Sequence, residues 1–196
     1  TDKKVVVQLV IGLTQSGKTG AMISFIKYYI KHTDTIIHPK NIYIITGLSS
    51  IEWKEQTKNR FPDFLEKNIF HNGDLKSFKE KIKDEKNVLI IMDEIQYGGK
   101  EKQGIYNTFK ELKYYDANNL LENDIKIVEF TATPDGHFKD IKDLKKYSKI
   151  FKLDPGIGYT SIVDLLDKGR VKNAENLLCL KSNGEVDYKL FDIKNK

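Results

Sequence analysis

Gly12-Leu13-Thr14-Gln15-Ser16-Gly17-Lys18-Thr19 matches the pattern G-x-x-x-x-G-K-[ST] at every fixed position. Each fixed residue type has a task at a phosphate. Gly12 lets the chain turn sharply off a preceding strand, and Gly17 lets the backbone pass where any Cβ would obstruct. The backbone N–H groups of the loop, through to Gly20, then converge on an anion at the positive end of the following helix. Lys18 sets an ammonium between β- and γ-phosphates, and the Thr19 hydroxyl ligates Mg²⁺. The expected cofactors are therefore ATP and Mg²⁺.

A second cluster stands where an apolar run ends in acid. Val88-Leu89-Ile90-Ile91-Met92 is followed by Asp93-Glu94-Ile95-Gln96. In a parallel sheet ligands gather at the carboxyl ends of strands, so Asp93 and Glu94 are expected to face the phosphate loop. Asp93 suits the water shell of Mg²⁺, and Glu94 suits orienting and deprotonating an attacking water. A carboxylate beside the metal's aspartate points to hydrolysis rather than transfer to a second substrate.

The elements that must position these groups are legible as an alternation. Val5–Ile11 reads as a strand, because Val5, Val6 and Val7 are β-branched and the run is apolar but for Gln8. Ala21, Met22, Phe25, Ile26 and Tyr29 recur at helical spacing until about Lys31. Further strands are expected at Asn41–Thr46, Val88–Met92, Ile125–Phe130 and Lys149–Leu153. Helices are expected at Ile51–Asn59, Asp74–Lys83, Gln103–Leu121, Phe138–Tyr147 and Ser161–Asp167. Strands alternating with helices give an α/β fold with a mostly parallel sheet covered on both faces. Near the end, Asn183-Gly184 separates two strand-like runs within Leu177–Phe191, a hairpin signal because both residues tolerate positive φ. The expected division is a core domain over 1–160 and a small C-terminal extension over 161–196.

Bulk properties exclude some classes. No apolar run approaches the roughly 20 residues that a spanning helix needs, so no membrane partner is expected. The single cysteine, Cys179, rules out an internal disulfide and fits a reducing, intracellular compartment. With four scattered histidines it leaves no zinc site. The net charge of +5 leans towards polyanions, yet 33 basic residues are dispersed among 28 acidic ones, so charge alone decides nothing. Only Arg60 and Arg170 are arginines, and the wealth of Lys, Ile and Asn suggests an AT-rich genome, such as that of a large DNA virus or phage. The lysines at 139, 142, 145, 146 and 149 read as a solvated face, and Tyr106, Phe109, Tyr114 and Tyr115 as packing residues.

Asp93-Glu94-Ile95-Gln96, followed by Thr131-Ala132-Thr133-Pro134 after the next strand, resembles the superfamily 2 helicase and translocase family. The likeness covers roughly residues 5–155. It implies a RecA-like P-loop motor domain that couples ATP hydrolysis to movement on DNA or RNA. It further implies that Gln96, Thr131 and Thr133 link the γ-phosphate state to domain movement. Thr46-Gly47-Leu48-Ser49-Ser50 occupies the place where that family contacts the nucleic-acid backbone, and His71-Asn72-Gly73 is a second such loop. Two other readings share the loop: the motor of a restriction or defence complex, and a P-loop switch controlled by nucleotide state. Motors of this family act through a second RecA-like domain that supplies arginine fingers, and no Q-x-x-G-R-x-x-R pattern occurs in these 196 residues. An arginine finger contributes roughly 10³–10⁵ in rate. The 196-residue chain is therefore expected to bind nucleotide weakly and to leave a duplex intact. Strand separation by this chain in a gel-based unwinding assay would contradict that.

Overall fold

The computed structural model describes residues 5–13, 16–32, 37–47, 55, 57–93, 104–133, 144–171, 179–180 and 186–187. The chain divides into two compact units, Thr1–Ile157 and Gly158–Lys196.

The first unit is α/β. Its six described strands are β1 (Val7–Gly12), β2 (Ile42–Thr46), β3 (Ile69–His71), β4 (Val88–Asp93), β5 (Ile125–Thr131) and β6 (Ser148–Leu153). They form one sheet in the order β3-β2-β4-β5-β1-β6, and every pairing is parallel. Parallel pairing requires both faces of a sheet to be covered, and the alternation of side chains along each strand shows how. Tyr43, Ile45, Ile90, Met92, Ile125 and Ile127 join one core with α2 (Leu75–Ile82), α3 (Gly104–Glu111) and α4 (Ala117–Glu122). Ile42, Ile44, Leu89, Ile91, Val128 and Phe130 join the opposite core, which Met22 and Ile26 of α1 (Lys18–His32) complete.

The two cores differ in chemistry. Phe78 of α2 lies edge-on to Tyr43 and Phe70, at centroid distances of 6.0 and 5.4 Å, and stacks on Phe109 at 6.4 Å. The α1 side is mainly aliphatic. At its margin Lys126 holds its ammonium 5.9 Å from the Tyr29 ring, and burial, with Asp124 adding, pushes the Tyr29 hydroxyl up to about 12.

Three expectations need correction. Gln103–Leu121 is not one helix: α3 ends at Glu111 and α4 begins at Ala117. Lys113 takes a φ of 59°, and the Asp116 side chain accepts a hydrogen bond from Asn118 N–H at 2.9 Å, an N-cap that starts a new helix. Strand β3 was hidden, because three residues between the Phe61-Pro62 break and Gly73 carry too little periodicity. Lys145–Tyr147, at the end of the expected helix Phe138–Tyr147, is a 3-10 turn. Residues 138–143 of that helix lie outside the described residues. So does most of Ile51–Asn59.

In the second unit, α5 (Ile162–Asp167) starts with a reciprocal cap. The Ser161 hydroxyl accepts from Asp164 N–H at 3.1 Å, and the Asp164 carboxylate accepts from Ser161 N–H at 2.7 Å. Hydrogen bonds from the Ser161 side chain and backbone lower the Asp164 carboxyl below its ordinary value. Two short strands, β7 (Cys179–Leu180) and β8 (Val186–Asp187), pair antiparallel, as the hairpin signal implies, with Asn183-Gly184 itself outside the described residues.

Phe78 fills the centre of the aromatic core and is fully buried. Phe78→Ala should lower unfolding free energy by about 3–5 kcal/mol, measured by urea denaturation.

Candidate phosphate-binding site

The strand register fixes what shares an edge. Ile11 pairs with Thr131, Gly12 with Leu153, Thr46 with both His71 and Asp93, and Asp93 with Phe130. The carboxyl ends of all six strands therefore form one rim, with neighbouring strands spaced about 4.8 Å apart. The chain leaves β1 for β2 and β3 on one side of it, and reaches β6 on the other. Such reversals of direction are where crevices open above a parallel sheet.

At β1 the rim runs into a helix. Gly12 ends the strand, Ser16 N–H donates to the Leu13 carbonyl at 3.1 Å, and α1 begins at Lys18. A Cβ on Gly12 would lie 3.1 Å from Ser16 Oγ and 3.2 Å from both Leu153 Cδ2 and Lys18 Cγ. A methyl at Gly12 would need those side chains to give by a few tenths of an ångström. Gly17 is required for conformation: its φ is 91°, and a Cβ there would meet nothing within 4 Å. Thr14 and Gln15 lie outside the described residues.

The site is electropositive by construction. Neither Asp nor Glu occurs in the first turn of α1, so no side chain of that turn offsets the positive end of the helix. Lys18 is only 9% exposed, and its Nζ donates to the Leu13 carbonyl at 3.3 Å. That bond folds the lysine back over its own loop. Ser16 is 8% exposed, and its Oγ has no hydrogen-bond partner among the described residues. Thr19 is half-buried and Gly20 exposed. An inward lysine, an orphaned buried hydroxyl and a glycine in a tight place fit a bound phosphate group.

Asp93 ends β4 and is half-buried. It alternates in step with Leu89 and Ile91, whose side chains pack in the α1 core, so it lies on the α1 face of the sheet. Its carbonyl accepts from Gly47 N–H at 3.0 Å. Glu94 and Gln96 lie outside the described residues. Among the described residues no three His, Cys, Asp or Glu gather as a metal site. A magnesium ion here would rest on Thr19, Asp93 and the oxygens of its phosphate ligand.

Thr131 ends β5, is fully buried, and lies on the opposite face, in step with Ile125 and Ile127. Its Oγ1 accepts from Thr133 N–H at 3.1 Å, which bends the chain into a tight turn after the strand. Thr133 is exposed.

The expected nucleic-acid contacts differ in exposure: Gly73 is exposed and Asn72 half-buried. Thr46 and Gly47 are buried at the end of β2, and Ser49 lies outside the described residues. Asn72 Oδ1 is buried, 3.0 Å from where Gly104 would carry a Cβ, and Gly73 N–H donates to His71 Nδ1 at 3.1 Å. Sequence reasoning missed Leu153 as the wall beneath the loop. Its strand was read, but no local signal sets that strand beside β1. Nor was His71 singled out for its own side chain, which lies with Nδ1 3.1 Å from Asp74 Oδ2 beside Thr46. Comparison of the sequence with protein-family models and with curated proteins finds no match to either.

Gly12→Ala should preserve the circular-dichroism spectrum. Overpacking of this kind costs about 1–3 kcal/mol. Titration calorimetry should therefore show nucleotide affinity reduced by about tenfold or more.

Proposed function

We propose that this chain is the ATP-binding half of a superfamily 2-type motor, a RecA-like domain that uses ATP hydrolysis to drive movement on nucleic acid. One observation carries the reading. Gly12, Asp93 and Thr131, the last residues of three neighbouring strands, share one rim, and Asp93 lies on the same face as the helix that opens with Lys18 and Thr19. In this reading three motifs far apart in sequence serve a single crevice.

In this reading ATP with Mg²⁺ supplies the transferable γ-phosphoryl group and the charge that offsets its oxygens. The residues do the rest. Loop N–H groups from Leu13 to Gly20 hold the phosphates in place. Lys18 exchanges the Leu13 carbonyl for phosphate oxygens, and Thr19 and Asp93 hold the metal's shell. Glu94 accepts a proton from the attacking water. Thr131 and Thr133 stand two residues apart, joined by a hydrogen bond that a small backbone rotation breaks, which suits a pair that reports phosphate state through the sheet. Gln96 would take the same role from the β4 side.

The test is ATP hydrolysis with and without nucleic acid, in the longest form of the protein that contains this chain. Stimulation of many-fold by single- or double-stranded nucleic acid is expected, abolished in Lys18→Ala and Glu94→Gln. Hydrolysis indifferent to both nucleic acids would instead favour a nucleotide-controlled switch.

A further inference from the structure

We propose that the outer edge of β6 docks an extended acidic segment of a partner protein, which joins the sheet as a further strand. The two edges of the sheet differ. At one end β3 is three residues long, and Ile69 and Phe70 are buried. At the other, β6 is six residues long and held to β1 in register along its whole length. Lys149, Ile150, Phe151 and Lys152 are nevertheless all exposed, Ile150 at 47% and Phe151 at 37%. Among the described residues no strand pairs with the far side of β6. Every second residue of a strand turns its N–H and C=O away from a given neighbour, so β6 presents a row of outward donors and acceptors. A long edge that also carries apolar side chains is a template for another chain.

The register sorts the four side chains. Phe151 pairs with Val10, which packs in the α1 core, so Phe151 and Lys149 lie on the α1 face. Ile150 and Lys152 alternate in step with Ser148, the partner of Val7, and lie on the opposite face. Lys149 Nζ is 5.0 Å from the Phe151 ring centroid, so ammonium and ring form one patch. Each face thus offers one apolar side chain and one ammonium.

Charge selects the occupant. From Lys145 to Leu153 the chain has four lysines and no acid. A strand laid alongside meets lysine, apolar, apolar, lysine, in the same order from either direction. Its complement is acid, apolar, apolar, acid. A second copy is disfavoured by the same pattern, because two β6 edges centred on Ile150 and Phe151 set Lys149 opposite Lys152. Nucleic acid would draw on the lysines but set a polyanion against Ile150 and the outward carbonyls.

The probe is a short fluorescent peptide centred on Glu-Val-Val-Glu, read by anisotropy with the full 196-residue chain. Binding is expected, weakening as salt rises. N-methylation of both valines, which blocks whichever peptide edge pairs, should weaken it about tenfold or more. Lys149→Glu with Lys152→Glu should lose this peptide and gain one centred on Lys-Val-Val-Lys, with an unchanged circular-dichroism spectrum. No binding of the acidic peptide overturns the proposal, and so does equal binding of its N-methylated form. An oligonucleotide that binds the parent but not the double variant, where the peptide binds neither, would assign the edge to nucleic acid. A parent chain that sediments as a dimer and turns monomeric in Ile150→Lys would assign it to a second copy.

Discussion

Parallel pairing is the constraint from which the molecule follows. When neighbouring strands run the same way, each connection must carry the chain back across the whole sheet before the next strand can begin. That geometry sends every strand end to one rim and every strand start to the other. Five pairings, from β3 through to β6, obey it without exception. The same requirement demands helices on both faces. Residues 42, 44, 89 and 91 therefore belong to one core, and 43, 45, 90 and 92 to the other.

The rim is firm because what lies behind it is firm. Phe78, Phe109 and Tyr43 anchor the strands from one side, and the α1 helix packs Met22 and Ile26 against them from the other. Close packing of this kind transmits small displacements rather than absorbing them. Gly12 is the limiting point, since three side-chain atoms lie within 3.2 Å of a Cβ that is not there. The turn between β1 and α1 is thus shaped from beneath by β6 through Leu153, and not by its own residues alone.

Much of this was legible because the driving features are local. Val88–Met92 declares itself by an unbroken apolar run and Val5–Ile11 by one interrupted only at Gln8, and the glycine-bounded turn after the first strand declares the start of α1. Asn183-Gly184 announces a hairpin by the φ those residues allow. What stayed hidden is set by partners distant in the chain. No local pattern says that β5 separates β4 from β1, or that Thr46 is buried between His71 and Asp93. Strand β3 is too short to carry a period. The division between α3 and α4 was readable in principle, since Asp116 two residues before Asn118 is a capping arrangement, but the helical spacing of Ile105, Phe109 and Leu112 masked it.

The hydrogen bond from Gly47 N–H to the Asp93 carbonyl closes the ladder of β2 and β4 at their last pair, Thr46 and Asp93. A tilt of the Asp93 carbonyl turns the acceptor that holds Gly47 N–H, so the carboxyl ends of β2 and β4 are geared to each other. The gearing is purely mechanical, acts over a single peptide, and needs no side chain to carry it.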